Sequence, residues 1–180
     1  FQTILSEQRM DTIIDAITDV TIEYLSGQVE AGAEGLQLFD SWAGSLAPAQ
    51  FERWVIAPNA KIAAEMQRRY PHVPVIGFPK GAGEKLPAYA RETGVNAVGV
   101  DETIDPLWAA RELPENMPVQ GNLDPLLLLS GGADLETQTI RVLEAFADRP
   151  HVFNLGHGIG QHTPIAHVEA LLKVVRGWSR

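Results

Sequence analysis

Residues 153–158, Phe153-Asn154-Leu155-Gly156-His157-Gly158, end an apolar run on a histidine set between two glycines. A strand that delivers an imidazole, with glycines that let the backbone turn and a ligand approach, suits hydrogen bonding or proton transfer; the same pattern also fits a loop histidine ahead of the next helix. Four other apolar runs stop on polar groups in the same way. Leu36 to Asp40 leads to Ser41 and Trp42, Val73 to Phe78 to Pro79 and Lys80, Ala97 to Val100 to Asp101 and Glu102, and Pro118 to Gly121 to Asn122 and Asp124. Ser41 is either a backbone partner in its own turn or a hydroxyl offered to a ligand. Asp101 and Asp124 either brace the loops that follow or do acid–base work. Lys80, close to two glycines, is a solvated loop charge or a contact for an anionic substrate.

Gln37 and Gln120 fall inside apolar runs and are expected as buried polar groups with local partners. The other histidines, at positions 72, 151, 162 and 167, lie away from the run ends and are expected on the surface. His157 and His162 stand across a glycine-rich loop, poor geometry for sharing a metal, and no metal site assembles from the spacing. A Ser-His-Asp hydrolase would draw on Ser41, His157 and an aspartate, but the G-x-S-x-G elbow is absent.

The elements that must position these groups are legible from periodicity and punctuation. Ile13, Ile14, Ile17, Val20, Tyr24 and Val29 recur at helical spacing, and the pattern stops near Gly32 and Gly35. The stretch from Pro48 to about Tyr70 is rich in Ala, Glu, Gln, Arg and Lys and predicts one long helix. A shorter helix runs to Thr93 with Gly94 as its C-terminal cap. Asp105-Pro106 opens a helix that ends near Leu113-Pro114, Asp124-Pro125 opens another, and Gly131-Gly132 separates that one from a helix over Asp134 to Ala147. Thr163-Pro164 is expected to cap the final helix, with Ile165, Val168, Leu171, Leu172 and Val175 on its buried face. Strands separated by helices imply a parallel sheet, because parallel neighbours need a crossover. The class is α/β, as an open doubly wound sheet or as part of a (β/α)8 barrel. No G-x-G-x-x-G or G-x-x-x-x-G-K-[ST] phosphate loop follows a strand, which favours the barrel.

With 180 residues and 45% hydrophobic content, the chain can bury one substantial core. A net charge of −9 opposes a broad nucleic-acid surface, which needs clustered Lys and Arg. No apolar run approaches the roughly 20 residues of a membrane span, and the first residues lack the order of a signal peptide, so the expectation is a cytoplasmic protein without membrane or nucleic-acid partners. The absence of cysteine removes disulfides and thiolate chemistry.

Leu36-Gln37-Leu38-Phe39-Asp40-Ser41-Trp42-Ala43-Gly44, Gln120-Gly121-Asn122-Leu123-Asp124-Pro125 and Asn154-Leu155-Gly156-His157-Gly158 closely resemble the uroporphyrinogen decarboxylase family, in its order and with similar spacing. Gly27-Gln28-Val29, Ala31-Gly32-Ala33 and Val98-Gly99-Val100-Asp101 add to the resemblance. It implies the C-terminal portion of a (β/α)8 barrel, about five parallel strands with intervening helices, over residues 1–180, with the N-terminal part of the barrel outside them. It also implies a cofactor-independent decarboxylase of haem biosynthesis, a homodimer in its full form, that turns the four acetates of uroporphyrinogen III into methyls. On the same ground Ser41 helps bind a substrate carboxylate, His157 contacts a substrate side chain and Phe39 lines the cleft. The family's Met-Arg-Gln-Ala-Gly-Arg segment, its central aspartate and its site tyrosine have no counterpart among these residues. No catalytic residue is therefore assigned here, and the activity is expected of the longer protein rather than of this chain alone. A zinc-dependent methyltransferase of the same superfamily is the alternative, disfavoured because its cysteine ligand has no candidate. A non-catalytic barrel fragment is the third reading. Strands too few to close a barrel would leave open edges, so the chain is expected to pack against another half, a second chain or a swapped copy.

Overall fold

Each apolar run that ends on polar groups is a strand in the computed structural model, which describes residues 6–179. The chain divides into two units, Phe1–Asn96 and Ala97–Arg180. The first holds helix α1 (Glu7–Glu30), strand β1 (Leu36–Asp40), a 3-10 turn at Ala43–Ser45, helix α2 (Pro48–Phe51), helix α3 (Ala57–Arg69), strand β2 (Val75–Pro79) and helix α4 (Leu86–Glu92). β1 and β2 pair in parallel, with Leu36 opposite Val75 and Asp40 opposite Pro79. The second holds β3 (Ala97–Gly99), α5 (Pro106–Glu112), β4 (Val119–Leu123), α6 (Pro125–Ser130), α7 (Ala133–Ala145), β5 (His151–Leu155) and α8 (Ile165–Gly177). β4 pairs in parallel with β3 and with β5, Val119 lying opposite both Val98 and His151. All these pairings are parallel, as the strand–helix alternation requires.

Side chains alternate across each strand, which decides what faces the helices. In β1, Leu36 and Leu38 are buried while Phe39 is exposed. In the second unit, Leu123, Leu128, Leu135 and Leu171 form a core to which Phe153 and Leu155 of β5 and Val168 and Val175 of α8 add. The local punctuation acts as expected in several places. Asp105 and Asp124 cap α5 and α6, accepting from Trp108 N at 3.0 Å and Leu126 N at 2.8 Å. Gly94, at φ 72°, follows the end of α4.

Four readings from the sequence need correction. The predicted long helix after Pro48 carries a π-helical turn over Glu52–Ile56, just ahead of Pro58, which has no N–H to give to the carbonyl four residues back. The apolar stripe of α1 is its outer one: Ile13, Ile17, Val20 and Tyr24 are exposed, whereas Thr18, Ile22, Leu25 and Ser26 are buried on the opposite face. That inner face packs on α3, and ion pairs flank the contact: Lys61 to Asp19 at 2.7 Å and Arg69 to Glu23 at 2.8 Å, with Arg53 of the π-helical turn to Glu7 at 2.7 Å. On α8, Leu171 is buried, but Ile165 and Leu172 are exposed. Its N-cap is Pro164, extended at ψ 135°, which leaves Thr163 one residue too early to reach the helix amides.

Candidate active site

Ser41 follows β1 and His157 follows β5, each one to two residues past the C-terminal end of its strand, and both are exposed. Ser41 and Phe39 come together on one strand end of the first unit; His157 belongs to the second. Phe39 is 70% exposed and meets Phe78 of β2 edge to face, with ring centroids 5.9 Å apart. Trp42, next to Ser41, is 82% exposed. Two apolar rings and a hydroxyl are thus exposed at the end of β1, groups suited to apolar contact and hydrogen bonding.

The loop carrying Ser41 is tightly braced. Lys80 N donates to Asp40 O at 2.9 Å, extending the strand pairing by one step, and Gly44 N donates to Lys80 O at 2.9 Å. Asp40 Oδ1 accepts from Trp42 N at 3.1 Å, closing an Asx turn around Ser41, and Ser45 Oγ donates to Trp42 O at 2.7 Å. The Gly44 and Gly81 backbones touch so closely that a Cβ on Gly44 would overlap Gly81. Beneath the strand, the Tyr89 ring fills the space left by Gly77, and its hydroxyl is pushed above the ordinary tyrosine range by burial and then by the Asp40 charge. Tyr89 is thus a neutral packing group at pH 7.

His157 is delivered by a second close approach. Gly156 N donates to Leu123 O at 2.7 Å, and a Cβ on Gly156 would overlap the backbone of Glu102. Gly158, by contrast, has nothing within 4 Å of where its Cβ would be. Gly121, at φ 129°, lies with its Cα against Val100 O, so neither its conformation nor its space admits a side chain. The peptide between Gly121 and Asn122 is cis.

Asn122, Asp101 and Asp124 each hold neighbouring backbone or loop groups. Asn122 is 4% exposed, and its Nδ2 donates to Asp101 O at 3.1 Å and Ile104 O at 2.7 Å, stapling the loop after β3. Asp101 is buried; its carboxylate accepts from Thr103 N at 2.9 Å and from the Thr103 hydroxyl. Asp124 is a helix cap, so Asp101 and Asp124 brace loops, one of the two roles their sequence position allowed. Gln37 and Gln120 are half-buried, and both are engaged.

The expectation that His151 and His167 lie on the surface is wrong. His151 opens β5, half-buried, with Nε2 2.7 Å from Gly121 O and its ring 4.8 Å from that of Phe146. Burial holds it below the ordinary histidine range, against the opposing pull of the Gly121 carbonyl. His167 Nδ1 lies 3.0 Å from Leu128 O. Both are drawn inward by partners distant in sequence. Among the described residues, no group of three or more His, Cys, Asp or Glu side chains is arranged to hold a metal ion.

The family model of uroporphyrinogen decarboxylase (URO-D) matches residues 2–178. Curated relatives carrying that name include one from Novosphingobium aromaticivorans, 91% identical over 93% of this chain and 49% of its own length. Another, from Erythrobacter litoralis, is 63% identical over 96% of this chain and 50% of its own length. The chain spans about half the length of the curated relatives it matches. Among solved structures, a methyltransferase from Methanosarcina mazei superposes with a TM-score of 0.77 at 23% identity, covering 89% of this chain and 47% of that one, a likeness of fold.

Proposed function

The chain belongs to the uroporphyrinogen decarboxylase family, and from that premise we propose that residues 1–180 are the later part of a single (β/α)8 barrel domain that decarboxylates the four acetate side chains of uroporphyrinogen III, giving coproporphyrinogen III. The observation that carries this reading is the family match across nearly the whole chain. The strand ends that bear Ser41, Phe39 and His157 agree with it, since functional groups of such barrels gather at the C-terminal face.

The chemistry sets what this half must contribute. Each step breaks the bond between a carboxylate carbon and its methylene; CO2 leaves, and the electron pair passes into a pyrrole ring already protonated. A proton then adds at the methylene carbon, the ring gives its own proton back, and a methyl results. Stabilising the ring cation needs a carboxylate facing the ring NH groups, and gripping many substrate carboxylates needs arginine forks. The family supplies those groups from its other half. Here Ser41 donates to a substrate carboxylate, His157 positions a second side chain and Phe39 packs on the macrocycle. Within the full-length protein the substrate is an anionic tetrapyrrole, and the assembly is a cytoplasmic homodimer. Among the described residues, no helix is long and apolar enough to cross a membrane.

The test uses a full-length enzyme made by joining the half of the Novosphingobium relative that this chain does not match ahead of Phe1. Ser41→Ala lowers kcat/KM by about 10- to 150-fold, the loss of one charge-assisted hydrogen bond of about 1.5–3 kcal/mol. His157→Ala weakens turnover without abolishing it. Unchanged kinetics in both variants would remove these residues from the site.

A further inference from the structure

Lys85 closes the 3-10 turn Gly83–Lys85 ahead of α4, in a stretch where no sequence motif marks it. Its Nζ donates to Leu46 O at 2.9 Å and to Gly44 O at 3.2 Å, and it stands 5.1 Å from the centroid of the Phe51 ring. Phe51 is itself fully buried against Tyr89, with ring centroids 6.4 Å apart. The two carbonyls belong to the loop that leaves Ser41. Gly44 and Leu46 precede the Ala47 N-cap of α2, whose first accepting carbonyl is Ala47 O, 2.8 Å from Phe51 N, so their carbonyls lie outside that helix's ladder. The Lys85 ammonium supplies both with a donor, and its remaining charge rests on an aromatic face.

We infer that Lys85 is a positioning residue for the Ser41 loop, holding the carbonyls of Gly44 and Leu46 while the Lys80–Gly81 backbone holds the Gly44 amide. Resting on the reading that Ser41 holds a substrate carboxylate, the inference adds how that hydroxyl is held in register. Ser41 sits between two fixed points. On the strand side Asp40 is tied to Lys80 N, and on the loop side the 3-10 turn Ala43–Ser45 is tied to Lys80 O and to Lys85. With its ammonium spent on two carbonyls and a ring, Lys85 acts through the loop and not on the substrate.

Two measurements test this, and they fail separately. In the full-length enzyme described above, hydrogen exchange of the amides of Gly44, Ser45 and Leu46 is compared for wild type, Lys85→Met and Lys85→Arg. Lys85→Met keeps the apolar stem and removes the donor; exchange there should rise about tenfold or more, with α3 unchanged, and Lys85→Arg should recover most of the protection. Unchanged exchange in Lys85→Met overturns the brace. If Lys85→Met does not fold, Lys85→Leu, which also removes the donor, is read in its place with the same criterion.

In the full-length enzyme described above, Lys85→Met should raise KM for uroporphyrinogen III about tenfold with kcat nearly constant. In a Ser41→Ala background it should add nothing, because both changes remove the same contact. A KM effect that persists in full without the Ser41 hydroxyl overturns the inference, since Lys85 would then touch substrate directly. Faster exchange with KM unmoved by either Lys85→Met or Ser41→Ala would leave the brace standing and remove the carboxylate reading of Ser41.

Discussion

The two glycines that flank His157 look equivalent in sequence, yet Gly156→Ala and Gly158→Ala should differ by a large factor. A Cβ on Gly156 lies 2.7 Å from Glu102 Cα and closer still to Glu102 N. Those are backbone atoms and cannot turn aside as a side-chain tip would. The strand end must move, which strains the hydrogen bond from Gly156 N to Leu123 O. Overpacking costs about 1–3 kcal/mol and one weakened hydrogen bond about 0.5–1.5 kcal/mol, so Gly156→Ala should destabilise the protein by about 1.5–4.5 kcal/mol. Gly158 meets nothing within 4 Å, and alanine there should stay within about 0.5 kcal/mol of wild type. Urea unfolding followed by circular dichroism reads both, with unchanged m-values as the check that the transition is the same. Equal shifts for the two variants, or a larger one at Gly158, would refute the claim that close backbone approach, and not turn flexibility, sets the glycine ahead of His157.

Other consequences follow from the core and from His151. Leu123→Ala empties the centre of the second unit's leucine cluster, where Leu123 is 1% exposed, and should cost about 2–5 kcal/mol in the same denaturation assay. His151 has a depressed folded-state value, so below its ordinary 6.5 the unfolded chain takes up the proton first and unfolding becomes easier. Its contribution is complete above that pH and is lost as pH falls toward the folded value; the unfolding midpoint should decline over this window, and His151→Gln should remove that part of the slope.

Much of the chain's architecture is readable because it is written locally. Asp105 and Asp124 announce helix starts through their own side chains and the prolines that follow, and the strand ends show as apolar runs stopping on polar residues. What stays hidden depends on partners far along the chain. Periodicity groups Ile13, Ile17, Val20 and Tyr24 on one face of α1, but the face with Ile22 and Leu25 is the one packed on α3, flanked by ion pairs to Arg53, Lys61 and Arg69. His151 has no local sign of burial; Phe146 and the Gly121 carbonyl draw it in. Ser41 and His157 stand at strand ends as expected, whereas Lys85 has no motif that marks it. Asn122 and Asp101 could be read equally as site or brace until their hydrogen bonds to the loop after β3 were seen.

The central claim is that these residues form half of a uroporphyrinogen decarboxylase working without a metal or organic cofactor. The direct measurement is anaerobic incubation of uroporphyrinogen III with the chelator-treated full-length enzyme, with products separated and weighed by mass spectrometry. Stepwise loss of CO2 ending at coproporphyrinogen III, unaffected by the chelator, is the predicted result. Activity abolished by chelation, or methyl transfer in place of CO2 release, would contradict it and move the chain to the zinc methyltransferases.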